Sequence, residues 1–237
     1  MNWNPNDWDR MANGRAGGAA WIFERAIERV AEMTGSPSGA SRRLLDVGCG
    51  TGQLAARLTT AGWDVTALDA DPAMAQHAHS RGAATSAIVG DAGALPFPDA
   101  SFARITASSL LGVLDHPATF LTEAHRCLEP GGALIVTATN RDSLLLKLNY
   151  ALPRSWVVPR AAGPRERFAT WSVGELRSLL TRAGFQVDPL HTFNFVLHAG
   201  PWLFPPRALA RRLDAYGITG SHEGTARNLI AMAWTGR

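Results

Sequence analysis

Apolar positions along the chain change period several times, and each change marks an element. From about Gly17 to Met33, the residues Trp21, Ile22, Ala26, Ile27 and Val30 recur at helical spacing, which predicts an amphipathic helix. Gly35-Ser36-Pro37-Ser38-Gly39 breaks it and reads as a linker. A regular alternation then begins. Arg43 to Val47 predicts a short buried strand, Gln53 to Ala61 a helix, and Asp64 to Asp69 a second strand. Pro72 suits a first helical turn and opens a helix to about Arg81. Ala84 to Val89 and Phe102 to Ala107 read as strands three and four, and Pro117 to Leu128 as a helix. Pro130-Gly131-Gly132 predicts a sharp turn before a fifth strand, Ala133 to Thr139. Strands alternating with helices at this pace imply right-handed βαβ units and a mainly parallel sheet. Such sheets bind ligands beyond the carboxyl ends of their strands.

After Thr139 the pattern changes. Residues 140–170 hold Leu144-Leu145-Leu146, Tyr150, Trp156 and several arginines and prolines, and read as a helical insertion or lid. Ser172 to Ala183 predicts a helix with a capping box, Ser172 with Glu175, ended by Gly184. Phe185 to Phe195 reads as one long strand, and Ala226 to Trp234 as the last. Between them, Pro201 to Gly224 reads as a second irregular insertion with a short helix. The expected organisation is one domain over 1–237, with an N-terminal flap and helix in 1–40. Substrate-lid insertions are expected at 140–170 and 196–225.

Composition narrows the function classes. The chain has 237 residues, 46% hydrophobic and 18% charged, which suffices for a buried core and is unlike a disordered chain. The longest apolar runs are too short to span a bilayer. The opening Met-Asn-Trp-Asn-Pro-Asn-Asp lacks the charged and apolar regions of a signal peptide. Two cysteines, Cys49 and Cys127, make no disulfide framework, so the expected location is cytoplasmic. No Cys/His cluster has zinc spacing, and no metal is expected. The net charge of +3 is unevenly placed. Between Arg141 and Arg212 eleven Lys and Arg face four Asp and Glu, a balance of +7, while the rest stands at −4. A basic segment on an acidic body suits an anionic partner.

The strongest chemical signal is Leu44-Leu45-Asp46-Val47-Gly48-Cys49-Gly50-Thr51-Gly52, a strand running through a glycine-rich turn into a helix. The dinucleotide pattern requires glycine where Gln53 stands, and the phosphate-cradling P-loop requires Gly-Lys-Ser/Thr. A carboxylate just before the glycines repels a pyrophosphate and suits a cation. Acids recur after the next two strands, Asp69 and Asp91, so three carboxylates share one sheet edge. A carboxylate accepts two hydrogen bonds, which suits a vicinal diol or an amine.

The glycine stretch resembles motif I of class I S-adenosylmethionine-dependent methyltransferases, in their small-molecule, type 11 branch. The resemblance continues through Asp69, Gly90-Asp91-Ala92 and Leu95-Pro96-Phe97-Pro98-Asp99-Ala100-Ser101-Phe102. It continues again in Leu114-Asp115-His116-Pro117, in Glu123 and Arg126, and in Leu128-Glu129-Pro130-Gly131-Gly132. Residues 43–139 are covered closely, and 171–185 resemble the family's next helix and strand. The resemblance implies a Rossmann-like α/β fold, a doubly wound, mainly parallel sheet of seven strands. Its order is 3-2-1-4-5-7-6, with the last strand antiparallel. It implies S-adenosyl-L-methionine as cofactor and S-adenosyl-L-homocysteine as product. Asp46 and the turn of Gly48, Cys49, Gly50 and Gly52 would bind the cofactor. Asp69 with Ala70 would take the ribose hydroxyls, and Asp91 with Ala92 the adenine. Met74 suits packing on the base, and Ser108 and Ser109 the amino-acid end. Trp8 and Arg15 lie in a segment that often closes over the cofactor in this family.

Methyl transfer from a sulfonium is an in-line displacement, chiefly a matter of proximity and orientation. An oxygen or nitrogen acceptor calls for a base, and a thiolate or stabilised carbanion does not. His116 and Tyr150 are the candidate bases, with a structural role the alternative for His116. Trp156, Phe193, Phe195, His198 and Trp202 lie in the segments that roof the substrate site in this fold, and an apolar or aromatic pocket follows. The expected partner is a small, mostly apolar, aromatic or acidic methyl acceptor, with no nucleic acid. The chain is expected to be a monomer or homodimer. Alternatives are a quinone or lipid head group methylated at a membrane surface, and a scaffold that binds the cofactor without turnover.

Overall fold

The computed structural model describes residues 18–151, 169–194 and 226–236, with residues 208, 209, 211, 212 and 214. Eight strands form one sheet: β1 (Arg43–Val47), β2 (Asp64–Asp69), β3 (Ser86–Val89), β4 (Phe102–Ala107), β5 (Leu128–Thr139), β6 (Gln186–Val187), β7 (His191–Phe193) and β8 (Asn228–Trp234). Their order is β3-β2-β1-β4-β5-β8-β6, with β7 also paired to β8. The first five are mutually parallel. β8 runs antiparallel to β5, β6 and β7. The Rossmann-like order expected from the sequence therefore holds. Strand direction reverses only beyond β5, and the chain departs to both sides of β1, which puts a crevice between the ends of β1 and β4.

Two expectations need correction. The single long strand over 185–195 is two short ones, broken at Asp188-Pro189-Leu190. Pro189 has no N–H to give the ladder. Asp188 is held to β8 by accepting from Trp234 Nε1 at 2.9 Å and donating its N–H to Met232 at 3.1 Å. Pro130-Gly131-Gly132 is not a turn before β5 but lies within it. The pairing with β4 jumps from Phe102↔Leu128 to Arg104↔Ala133, so these residues form a bulge. Gly131 has φ 73°, and a Cβ on Gly132 would sit 2.8 Å from the Glu129 carbonyl oxygen.

Among the described residues the sheet is flanked by α1 (Gly18–Thr34), α2 (Gln53–Thr60), α3 (Pro72–Ser80), α4 (Pro117–Cys127), α5 (Leu144–Ala151) and α6 (Val173–Arg182). Strand alternation divides the core in two. Leu45, Ile105, Leu134 and Val136 face the apolar sides of α4 and α6, through Phe120, Leu121, Leu176 and Leu180. Leu44, Val65, Ala133 and Ile135 face α1 and α2, through Ala26, Val30, Leu54 and Leu58. α6 carries the expected capping box, in which Ser172 Oγ accepts from the Glu175 N–H and Glu175 accepts from the Ser172 N–H. Ala208, Leu209, Arg211, Arg212 and Asp214 of the second insertion are helical. Among the described residues no helix is long and apolar enough to cross a membrane.

Candidate functional site

The glycine loop leaves β1 at the crevice. Gly48, Gly50 and Gly52 all have positive φ, at 70°, 52° and 80°. Gly52 is also sterically fixed. A Cβ on Gly52 would lie 2.6 Å from Ala83 Cβ and 2.9 Å from Ala78 Cβ, and one on Gly48 would lie 2.9 Å from Leu110 Cδ1. The N–H groups of Gly48 and Cys49 both donate to the Leu68 carbonyl, at 2.8 and 3.1 Å, which pins the loop to the end of β2.

Asp46 lies beneath this loop and is only 2% exposed. The sheet register places it opposite Thr106, whose hydroxyl donates to Asp46 Oδ1 at 2.8 Å. Asp46 Oδ2 is buried and has no hydrogen-bond partner among the described residues. Burial pushes the Asp46 carboxyl up to about 7. The Thr106 hydrogen bond opposes that rise, and the negative charge of Asp69 adds to it. A second buried polar atom, Thr51 Oγ1, likewise lacks a partner there. Both residues line one cavity, walled by Phe23 and Ile27 of α1, the turn from Gly48 to Thr51, and Ser108 and Ser109 after β4. An unpaired acceptor and an unpaired hydroxyl lining one cavity match the ammonium and carboxylate of an amino acid.

The remaining acids follow along the same edge. Asp69 ends β2 and is half-buried. Its Oδ2 accepts from the Gly50 N–H at 2.8 Å and its Oδ1 from the Asp71 N–H at 2.9 Å. Burial raises its pKa, and those backbone bonds counter the rise. Asp71, not Asp69, caps α3 by accepting from the Ala73 N–H at 2.9 Å. Asp69 thus braces the glycine loop and keeps lone pairs for a ligand. Asp91 follows β3, is exposed, and accepts from the Gly93 N–H at 2.9 Å. Ala70 is exposed, while Met74 and Ala92 are buried. The Cys49 thiol is buried, and burial with the two nearby carboxylates pushes its pKa up, which makes it a poor nucleophile.

Of the predicted catalytic and substrate residues, His116 and Phe193 have described side chains. His116 is exposed and immediately precedes α4, whose first position is Pro117. Phe193 is fully buried in the core cluster that contains Ile135 and Ile230, so its ring is packed away from solvent. Tyr150 lies in α5, with its side chain outside the described residues. Trp8, Arg15, Trp156, Phe195, His198 and Trp202 also lie outside them. Sequence reasoning missed Thr51, Thr106, Phe23 and Ile27. Thr106 had a legible signal, as a polar residue in an otherwise apolar stretch of a buried strand.

Residues 45–136 match the family profile described as a methyltransferase domain. The sequence is 32% identical over 196 residues to the malonyl-(acyl-carrier protein) O-methyltransferase of Erwinia pyrifoliae, covering 81% of this chain and 68% of that relative. The chain belongs to the class I S-adenosylmethionine-dependent methyltransferases, type 11 branch. The methyltransferase is also 34% identical over 161 residues to a demethylmenaquinone methyltransferase of Tropheryma whipplei, covering 62% of this chain and 67% of that one. A solved S-adenosylmethionine-dependent methyltransferase from Thermotoga maritima shares the fold, with TM-score 0.68 at 23% identity. That match covers 97% of this chain and 95% of the other. Family and fold together imply use of S-adenosylmethionine, and the cavity's donor set fits its amino-acid end.

Proposed function

We propose that this enzyme methylates an oxygen, nitrogen or carbon atom of a small, mostly apolar metabolite bearing an acid group. Bound S-adenosylmethionine supplies the electrophilic methyl on its sulfonium. The buried, unpaired Oδ2 of Asp46 carries the reading, because a carboxylate desolvated in a cavity is stabilised by a cation placed against it. In this reading Asp46 takes the cofactor's ammonium. Thr51 takes its carboxylate, Asp69 the ribose hydroxyls, and Asp91 with Ala92 the adenine. Phe23 and Ile27 exclude water from the methionine end, which strengthens every polar contact there. His116 serves as base where the acceptor is an alcohol or amine.

The acid group is supported by the +7 balance of residues 141–212 and by likeness to an enzyme named for a malonyl acceptor. Calorimetric titration with S-adenosylmethionine and S-adenosylhomocysteine, with NAD as control, tests the cofactor assignment. Methyl uptake by a panel of aromatic and aliphatic acids then tests the acceptor class, and a panel of neutral analogues methylated equally well refutes it. The likeness to a demethylmenaquinone methyltransferase favours a second reading, a quinone acceptor reached at a membrane surface. Activity that requires lipid vesicles separates the two.

A further inference from the structure

The helix that walls the cavity is held from behind by a buried ion-pair cluster that the cofactor reading does not use. One turn advances 3.6 residues, so Trp21, Arg25 and Glu28 share one side of α1, and Phe23 and Ile27 lie on the opposite side. The second side faces the cavity. The first meets the helical residues of the second insertion. Asp214 is 0% exposed, and Arg25 Nε donates to its Oδ2. Asp214 Oδ1 accepts from the Asn194 N–H at 2.6 Å. Arg25 Nη1 donates to Glu28 Oε2 at 2.8 Å, and Arg211 Nη2 to Glu28 Oε1 at 3.0 Å. The Arg211 guanidinium also sits 5.7 Å from the centroid of the Trp21 ring.

The other end of the cluster is anchored in the sheet. Asn194 follows β7 with a left-handed φ of 63°, and its Nδ2 donates to Asn228 Oδ1 at 2.8 Å. Asn228 pairs with Phe193 and with Thr139, the last residue of β5. That is the edge at which the parallel strands end and the glycine loop begins.

We propose that Asp214 is a positioning residue for the cofactor. It latches α1 to this edge and so holds Phe23 and Ile27 against the methionine end of the ligand. The inference rests on the cofactor assignment above, but the latch itself is a property of the ligand-free protein. A helix docked in only a fraction of molecules weakens the apparent affinity by that fraction. Asp214→Asn keeps an acceptor for the Asn194 N–H and removes the charge that holds Arg25.

The test is hydrogen exchange on the ligand-free protein, paired with calorimetry using S-adenosylhomocysteine. In Asp214→Asn, amides of α1 exchange faster while β1, β4 and β5 keep their protection. S-adenosylhomocysteine binds about tenfold more weakly, and saturating ligand restores α1 protection. In turnover, KM for S-adenosylmethionine rises and kcat does not, a split that loss of folded protein cannot produce. Arg25→Gln combined with Asp214→Asn costs less than the sum of the two single changes, because both remove the Arg25–Asp214 pair. Arg211→Gln, at the 54%-exposed end of the cluster, gives the same effects in weaker form should Asp214→Asn not fold. Wild-type α1 protection and wild-type affinity in the foldable variants overturn the latch. Failure of the wild type to bind S-adenosylhomocysteine overturns the cofactor assignment instead, and the exchange data then judge the latch alone.

Discussion

Replacing Asp46 by Asn separates what the carboxylate costs the ligand-free protein from what it does for the cofactor. The side chain is 2% exposed, and its pKa is raised from 3.8 to about 7, chiefly by burial. Between those values the folded state holds a proton that the unfolded state has lost. Stability therefore falls as pH rises through this window, and the whole penalty stands above pH 7. A shift of about 3 units corresponds to roughly 4 kcal/mol at pH 8. Asn removes that penalty but leaves an amide N–H unpaired, at a cost of about 1–3 kcal/mol. The net gain is roughly 2 kcal/mol, a rise in Tm of about 4–8 °C for a chain of this length. At pH 5 the carboxylate penalty has shrunk to roughly 2 kcal/mol, so it cancels against the amide and the two proteins melt together. Binding moves the other way. A lost charge-assisted hydrogen bond to the ammonium weakens S-adenosylhomocysteine by about 1.5–3 kcal/mol, roughly 10- to 150-fold. Thermal melts at pH 5 and 8, with calorimetry at pH 8, read both effects. A variant that melts lower than wild type at pH 8, or binds within twofold of it, refutes the reasoning.

Four further outcomes follow from the same geometry. Wild-type affinity for S-adenosylhomocysteine declines as pH falls through about 7, because protonation of Asp46 competes with the ammonium, and Asp46→Asn lacks this slope in calorimetry. Asp69→Ala weakens cofactor binding by about 1–3 kcal/mol and loosens the Gly50 turn, read as a higher Kd with faster exchange at the loop. Thr51→Val conserves shape, leaves the melting temperature unchanged or higher, and raises the Kd by roughly fivefold, since only an unpaired hydroxyl is lost. Gly52→Ala must place a side chain at φ 80° and 2.6 Å from Ala83 Cβ, so it destabilises by more than about 2 kcal/mol in denaturant titration.

The parts of this fold legible in the sequence are those whose signal is local. The spacing of Leu44 to Gly52 carried a strand, a positive-φ turn and a helix start together. Asp71-Pro72 and Ser172 with Glu175 marked helix starts because capping is a contact between near neighbours. Elements set by long-range pairing were misjudged. Pro130-Gly131-Gly132 has the composition of a turn, yet the β4 partner holds it inside a bulged strand. Phe185 to Phe195 has continuous strand composition, yet Pro189 interrupts the ladder. In the site, Asp46 was legible from its place before the glycines, but its desolvation was not. That depends on Thr106, 60 residues away, and on Phe23 and Ile27 of α1. The contact between Arg25 and Asp214 joins residues 189 apart and leaves no trace in either local pattern.

The central claim is that the cavity between the glycine loop, Ser108 and α1 holds the amino-acid end of S-adenosylmethionine against Asp46. Titrating the purified protein with S-adenosylhomocysteine at pH 8, with NAD in a parallel cell, tests it most directly. The account predicts saturable binding of one S-adenosylhomocysteine per chain, lost progressively below pH 7, and no heat from NAD. Binding of NAD, or S-adenosylhomocysteine binding that is indifferent to pH and to Asp46→Asn, would contradict it.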